Sequence, residues 1–214
     1  MIIKNVSIDL DETVMPFIPG YLIFRNGRHQ TRWRSEHIID YAFCNVFNNH
    51  PGDNTVDVVD YENSDWYWQC TKPFPGAVRT IQRLAREGYH LFGNTSRQWQ
   101  ASGVTLAFLK AHFKSLKYFT DFGFGNRYPL NTGESYVSKI EFCDRFGANL
   151  HIDDSLSEAF FMASLGMTVI LFDYQGKTAW NQRDNLPPNI IRAKSWLEVY
   201  QTINRGSPST SVIV

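Results

Sequence analysis

Acidic side chains stand at the end of the first apolar segment of the chain. Residues 2–9, IIKNVSID, are rich in β-branched residues and end in Asp9, and Asp11 and Thr13 follow at intervals of two residues. Alternate side chains of a strand share one face, so these three would point the same way only in an extended chain. We expect the strand to end near Asp9 and the chain to turn there. One carboxylate and one backbone carbonyl would then converge on a common partner.

Polar residues follow two later apolar segments in the same way. The segment 89–95 runs into Thr95, Ser96 and Arg97, the segment 148–153 ends in Asp153 with Asp154 next to it, and Lys139 lies on the predicted helix between them. In open α/β sheets, ligands bind beyond the carboxyl ends of the strands. These side chains are therefore expected to meet at one edge of the sheet, where clustered carboxylates require a cation. Ligation by oxygen atoms alone favours Mg²⁺ over zinc.

Each of these residues also has a purely structural interpretation. Asp11 and Thr13 could form a local turn, Thr95 or Ser96 could cap the next helix, Lys139 could be a solvated helix lysine, and Asp153, Asp154 or Ser155 could cap the helix at 155. Arg97 is either a second phosphate contact or a surface charge. His151 is interpreted as a core or edge histidine, and Glu12 as a solvent-facing residue.

Strands alternate with helices along most of the chain, which indicates an α/β protein with a mainly parallel sheet. Strands are predicted over 2–9, 89–95, 148–153 and 167–173, and helices over 75–88, about 98–113, 131–147 and 155–166. Asn131 and Glu134 are placed as a capping box for the third of these helices. The segment 121–129, DFGFGNRYP, is predicted to be a loop.

The segment 17–72 differs from the rest of the chain in its turn signals and its aromatic content. It carries one helical stretch, 35–47, and turn signals at Pro19-Gly20, Asn26-Gly27 and Pro51-Gly52. It and the residues around it are rich in aromatic side chains: Trp33, Tyr41, Phe43, Phe47, Tyr61, Trp66, Tyr67 and Trp68. These rings either fill the core of a small subdomain or provide a platform for stacking a flat ligand such as a base.

The four polar groups resemble the ordered motifs of the haloacid dehalogenase-like (HAD) phosphohydrolases: DxDxT, a Thr or Ser after a strand, a Lys, and an acidic pair. The resemblance covers 1–16 and 73–175, and the segment between looks like the family's cap. It implies a Rossmann-like parallel sheet sandwiched by helices, with a small cap inserted after the first strand. The implied catalytic core is 1–16 and 73–205, the cap is 17–72, and 206–214 is a flexible tail.

The resemblance also implies a role for each residue. Asp9 would be the nucleophile that forms an aspartyl-phosphate, and Asp11 would act as general acid and base. Thr95 would hydrogen-bond a phosphoryl oxygen, and Lys139 would hold the charge of nucleophile and phosphate together. Ser96 and Arg97 would bind substrate. Mg²⁺ would be held by Asp9, the backbone carbonyl of Asp11 and Asp154, with Asp153 supporting these ligands from beside the metal.

The second acid, Asp11, favours phosphatase over dehalogenase chemistry, because a dehalogenase has no leaving group to protonate. PFPGAV (73–78), the TSR sequence after the strand, and the short interval from Lys139 to Asp153 are similar to the 5'(3')-deoxyribonucleotidase branch. A small phosphomonoester such as a (deoxy)nucleoside monophosphate is therefore the expected substrate. One alternative is a protein phosphatase, because DLDET resembles the polymerase-tail phosphatases. Another is a HAD-fold binding protein without turnover.

Composition limits the remaining possibilities. The 214 residues are 43% hydrophobic, enough for a folded domain with an insertion, and 21 basic residues balance 21 acidic ones. This balance argues against a nucleic-acid binder. Three separated cysteines, Cys44, Cys70 and Cys143, suit a reducing compartment and offer no zinc site. Without a leader or membrane-spanning pattern, the expected location is cytoplasmic. The sequence does not predict an oligomeric state.

Overall fold

A parallel sheet of six strands forms the centre of the computed structural model, which describes residues 4–40, 43–129, 131 and 133–205. The strands are β1 (Asn5–Ile8), β2 (His90–Thr95), β3 (Asp121–Phe124), β4 (Leu150–Asp153), β5 (Thr168–Phe172) and β6 (Ile190–Ala193), in the spatial order β3-β2-β1-β4-β5-β6. The order reverses on either side of β1, as in doubly wound folds. The predicted α/β class is confirmed.

Helices cover both faces of this sheet. They are α1 (Ile18–His29), α2 (Phe43–Phe47), α3 (Pro51–Glu62), α4 (Asp65–Cys70), α5 (Ala77–Arg86), α6 (Ser102–Phe113), α7 (Lys139–Phe146), α8 (Leu156–Ser164) and α9 (Trp196–Arg205). One hydrophobic cluster joins the sheet to α5, α6 and α9, and a second joins it to α7 and α8. The strands are buried on both sides for this reason, which explains the uninterrupted apolar sequence of β5.

The register of the strands brings their carboxyl ends together. Ser7 lies opposite Phe92 of β2 and His151 of β4. The backbone N–H of Asp9 donates to the carbonyl of Ile152 at 2.9 Å, which places Asp9 beside the end of β4. Residues that follow β1, β2 and β4 therefore share one edge of the sheet.

The helix pattern between 17 and 72 differs from the prediction. The stretch 35–47 contains a short 3-10 turn (Ser35–His37) and α2, with residues 41 and 42 outside the described ranges. The expected turn at Pro19-Gly20 is the first turn of α1, because proline is tolerated there. Gly20 lies so close to Tyr61 that a Cβ atom built on it would be 2.1 Å from the tyrosine hydroxyl oxygen.

Three further predictions in this part of the chain need correction. Asn26-Gly27 lies inside α1, and Pro51-Gly52 opens α3 rather than forming a turn between elements. The helices α1, α3 and α4 were not predicted, because their apolar faces are broken by Gly, Asn and Asp residues. The helices α1 to α4 pack on each other through aromatic rings, such as Tyr21 stacked on Phe43 with centroids 5.2 Å apart. Most of the rings thus serve as a core.

Two predictions in the second half of the chain, a loop and the start of a helix, were also wrong. The segment 121–124 is the edge strand β3, not part of a loop. The third predicted helix begins at Lys139 instead of 131, and its capping box is formed by Ser138 and Glu141. Asn131 and Glu134 are hydrogen-bonded to each other in the preceding loop. Lys139 is therefore the first residue of α7 rather than a mid-helix residue.

The tail 206–214 lies beyond the described residues. Among the helices that are described, none is long and apolar enough to cross a membrane. Cys44, Cys70 and Cys143 are free thiols.

Candidate active site

A buried lysine links two of the predicted acids. The Nζ atom of Lys139 lies 2.7 Å from Oδ1 of Asp9 and 2.7 Å from Oδ2 of Asp153. Lys139 is only 6% exposed, so the alternative of a solvated helix lysine is wrong. Its position at the first turn of α7, against the end of β1 and β4, brings the three side chains together. Burial alone would lower the pKa of Lys139, but Asp153 and Asp9 raise it, which keeps the ammonium charged.

The buried side chain of His151 also contacts Asp153. His151 and Asp153 are two residues apart on β4 and therefore share a face. The Nε2 atom of His151 lies 2.8 Å from Oδ2 of Asp153, and its Nδ1 atom lies 2.9 Å from Oγ of Ser7. Burial opposes protonation of His151, but the hydrogen bond to Asp153 outweighs it and raises the histidine pKa to about 9. Despite its own burial, Asp153 has a lowered pKa because Lys139 and His151 face it.

The neighbouring carboxylate, Asp154, is held by a different element. Its Oδ2 atom accepts a hydrogen bond of 2.6 Å from Nε1 of Trp180. Its backbone carbonyl accepts one of 3.0 Å from Nδ2 of Asn181. Trp180 and Asn181 lie in a 3-10 turn after β5 (Ala179–Asn181), and the sequence did not point to either. The cap of α8 is Ser155, whose hydroxyl accepts from the N–H of Glu158.

The carboxylates fit a divalent cation. One carboxylate oxygen from each of Asp9, Asp153 and Asp154 lies within 4.8 Å of the others. Oδ2 of Asp9 and Oδ1 of Asp154 are buried, and neither has a hydrogen-bond partner in the described part of the chain. Burial and the neighbouring carboxylates Asp153 and Asp11 raise the pKa of Asp9 to about 7 against the effect of Lys139, and burial raises that of Asp154 well above its usual range. This excess of negative charge and these free oxygens suit Mg²⁺.

Asp11 faces a different partner. Nε of Arg97 lies 2.8 Å from Oδ2 of Asp11, and Nη2 lies 2.6 Å from Oδ1, so the arginine holds both carboxylate oxygens. Nη1 of Arg97 donates to Oγ1 of Thr105 at 2.8 Å and lies 3.2 Å from Oε1 of Glu62 on α3. Arg97 is 4% exposed, so the surface-charge interpretation is wrong. Its phosphate contact stays a prediction.

The hydroxyl residues at the end of β2, Thr95 and Ser96, do not cap the next helix. Thr95 ends the strand, and its Oγ1 accepts from the N–H of Arg97 at 3.3 Å. The next helical turn is capped at Gln98, so the helix-capping interpretation of Thr95 and Ser96 is wrong. Ser96 is half-buried and lines the cavity described below. The phosphate contacts of both residues stay predictions.

The turn after β1 has one feature that differs from expectation. Glu12 adopts a left-handed backbone with φ of 53°, and its Oε1 accepts from the N–H of Ile18 at 2.5 Å. It is half-buried rather than solvent-facing, and burial raises its pKa to about 8. This bond ties the start of α1 to the turn that carries Asp11. The hydroxyl of Thr13 is buried and has no partner among the described residues.

A cavity of about 90 Å³ lies between this turn and the helices α2 and α3. Its apolar wall comes from Phe17, Phe43 and Val58. Its charged groups are Asp11, Glu62 and Arg97, and further lining residues are Cys44, Asn54, Thr55, Ser96, Gln98 and Tyr128. The cavity therefore meets the site at Asp11.

Solved structures share this architecture. A predicted phosphatase from Clostridium acetobutylicum superposes with a TM-score of 0.70 at 17% identity, over 96% of this chain and 100% of that one. A haloacid dehalogenase-like family hydrolase from Streptococcus pneumoniae gives 0.66 at 12% identity, over 94% and 98%. A HAD hydrolase from Bacillus subtilis bound to magnesium gives 0.63 at 14%, over 95% and 100%. The fold is that of the HAD hydrolases.

The comparisons of sequence, in contrast, found no match. No family model matches the chain, and no curated protein matches it significantly. The identities above are low, so the neighbours establish the HAD fold alone. What the chain does must be inferred from its own site residues.

Three residues near the site, His151, Trp180 and Glu62, were not identified from the sequence motifs. His151 had a usable signal, since its spacing from Asp153 on a strand places both side chains on one face. Trp180 and Glu62 had none. They reach the site from a turn after β5 and from the end of α3, and only the packing of those elements brings them there.

Proposed function

We propose that this protein is a Mg²⁺-dependent phosphomonoester hydrolase that works through an aspartyl-phosphate on Asp9. The observation that carries the proposal is Lys139 Nζ bridging Asp9 and Asp153 beside Oδ1 of Asp154, which has no hydrogen-bond partner among the described residues. A cluster of buried carboxylates with one fixed ammonium group is a poor way to stabilise a fold, since each buried charge costs free energy. It suits a site that receives a metal and a phosphate together.

The residues have the following roles in this proposal. Asp9 attacks phosphorus and carries the phosphoryl group, and Lys139 holds its Oδ1. Asp11 gives a proton to the leaving oxygen and later takes one from water. Thr95 and Ser96 donate hydrogen bonds to phosphoryl oxygens. Asp153 touches Lys139 and His151 and supports the site.

The residues that would hold the metal are Asp9, the backbone carbonyl of Asp11, and Asp154. When bound, Mg²⁺ supplies positive charge that neutralises the phosphate and favours in-line attack. Trp180 fixes the orientation of Asp154 through its indole N–H.

The substrate is a small molecule in this proposal, and a (deoxy)nucleoside monophosphate is one candidate. The helices between 18 and 70 cover the cavity next to Asp11, which leaves room for a small leaving group. Most aromatic rings of that segment pack on each other, and Phe17 and Phe43 also line the cavity. A stacked base would therefore meet these two rings.

A panel of phosphomonoesters tests the proposal. We expect the purified protein to hydrolyse p-nitrophenyl phosphate and at least one nucleoside monophosphate with Mg²⁺, and to lose this activity with EDTA. Asp9→Asn should be inactive yet folded. Trapping with beryllofluoride and Mg²⁺ should give an adduct on Asp9 of the native protein. Hydrolysis of phosphopeptides alone would favour a protein phosphatase, and no turnover of any ester would favour a binding protein.

A further inference from the structure

The cavity beside Asp11 offers no unpaired positive charge. All 21 lysines and arginines belong to the described ranges, and Arg97 is the one among them that lines the cavity. Its guanidinium already faces the carboxylates of Asp11 and Glu62 and the hydroxyl of Thr105. A leaving group with a carboxylate or a second phosphate would find no free cation here.

The carboxylates outnumber the cation in this cavity. Asp11 and Glu62 stand against the single charge of Arg97. Bringing a negatively charged group into such a space costs its hydration and adds repulsion from the acids. The remaining wall is apolar or neutral, which does not compensate for that cost.

Glu62 has an unused acceptor. Its side chain is 1% exposed, one oxygen faces Arg97, and the other, Oε2, is buried and has no partner within the part of the chain that is described. Burial raises the pKa of Glu62 to about 7, and Arg97 opposes this shift, so the carboxylate is ionised above neutral pH. A buried acceptor without a donor is costly unless a ligand supplies the donor.

The position of Glu62 supports a role toward the leaving group rather than the phosphate. It is the last residue of α3, in the segment that covers the cavity, whereas the phosphoryl-binding residues come from the sheet edge. The apolar residues that line the same cavity, Phe17, Phe43 and Val58, would surround the carbon skeleton of a small substrate.

We propose that Glu62 selects phosphomonoesters whose leaving group carries no negative charge and presents a hydroxyl or ammonium donor to its carboxylate. Arg97, in turn, positions Asp11 and is not available for an anion on the leaving group. This inference rests on the proposed phosphatase activity and narrows its substrate class.

Four two-carbon esters of nearly equal size test this inference. They are ethanolamine phosphate, 2-hydroxyethyl phosphate, ethyl phosphate and 2-phosphoglycolate, which differ in the charge and the donor at the far end. At about pH 8, above the pKa of Glu62, we expect the first two to exceed ethyl phosphate about tenfold to a hundredfold in kcat/KM, as for a hydrogen bond to a charged group. Phosphoglycolate should be the poorest.

The variant Glu62→Gln separates selection from structure. It should lower the kcat/KM ratio of ethanolamine phosphate to phosphoglycolate by about tenfold or more, because the repulsion and the charged acceptor are both removed. If Glu62 had only a structural role, the substitution would change kcat/KM for all four esters by the same factor. Glu36→Gln, at an exposed glutamate of the same segment, is the matched control and should leave the ratio unchanged.

The outcomes are distinguishable. Phosphoglycolate turnover equal to or above that of ethanolamine phosphate by the native protein would overturn the inference, even if Glu62→Gln does not fold. A parallel change of all four esters in a folded Glu62→Gln protein would also overturn it. Failure of the native protein to hydrolyse even p-nitrophenyl phosphate with Mg²⁺ would instead refute the proposed function, and the substrate class with it.

Discussion

The guanidinium of Arg97 holds both carboxylate oxygens of Asp11, at 2.8 and 2.6 Å, at the boundary between the sheet edge and the cavity. This paired geometry fixes the direction of the Asp11 side chain. The same arginine reaches Glu62 on α3, so the proposed general acid is connected to the segment that covers the cavity.

Asp11→Asn should lower kcat by about two to four orders of magnitude, because an amide cannot protonate the leaving oxygen. The loss in kcat/KM, which reports phosphoryl transfer to Asp9, should be much smaller for p-nitrophenyl phosphate than for an alkyl phosphate, since nitrophenolate leaves without protonation. Steady-state kinetics on both esters measures this difference. Equal losses on the two esters would contradict the role of Asp11 as an acid.

Trp180→Phe should weaken Mg²⁺ activation about tenfold to a hundredfold, the usual effect of losing a residue that orients a metal ligand. The smaller phenyl ring keeps an aromatic side chain at this position, but the N–H that fixes Oδ2 of Asp154 is lost. The Mg²⁺ concentration that gives half-maximal activity measures this weakening. Trp66→Phe, at a tryptophan that is 48% exposed, is the control and should behave like the native protein.

The pH dependence of stability should reveal the metal site. Burial and the nearby carboxylates raise the pKa of Asp9 to about 7, so its protonated form is favoured in the folded state. That contribution to stability is present below the usual carboxylate pKa of about 4 and is lost as pH rises through 7. The raised pKa of Asp154 acts in the same direction.

We therefore expect the Tm of the metal-free protein to decrease as the pH is raised from about 5 to about 8. Mg²⁺ should raise the Tm more at the higher pH. Thermal unfolding with EDTA or Mg²⁺ at both values measures this. Asp154→Asn should lose most of the Mg²⁺ effect. An equal Mg²⁺ shift at both pH values would contradict the assignment of Asp9 and Asp154 as ligands.

Gly20→Ala should destabilise the protein by about 1–3 kcal/mol, because the new methyl group would overlap the buried hydroxyl of Tyr61. Gly27→Ala is the matched control in the same helix, where a Cβ meets nothing within 4 Å. It should be neutral or stabilising by up to about 1 kcal/mol, since alanine favours the helix. Urea unfolding of both variants measures the difference. Equal stability of the two would contradict the close packing of α1 on α3.

The strand-and-helix alternation was readable from the sequence where the physical signal is local. β5 is a continuous apolar strand because both of its faces are covered, and α5 has apolar residues at helical spacing. The edge strand β3 was missed because its glycine- and aromatic-rich sequence also suits a loop. The start of α7 was misplaced because Asn131 and Glu134 have the spacing of a capping box but lie in a loop, where Nδ2 of Asn131 donates to Oε1 of Glu134.

The sequence by itself determined which residue types meet at the sheet edge. Parallel strands end on one side, so Asp9, Thr95 and Asp153 had to gather there once the strands were recognised. The tertiary structure alone decided what surrounds them. Glu62 and Trp180 approach from elements distant in sequence, and Arg97, which contacts Asp11, also contacts Thr105 and Glu62 in the packed chain. Such contacts depend on how elements pack in three dimensions, and residue spacing carries no information about that.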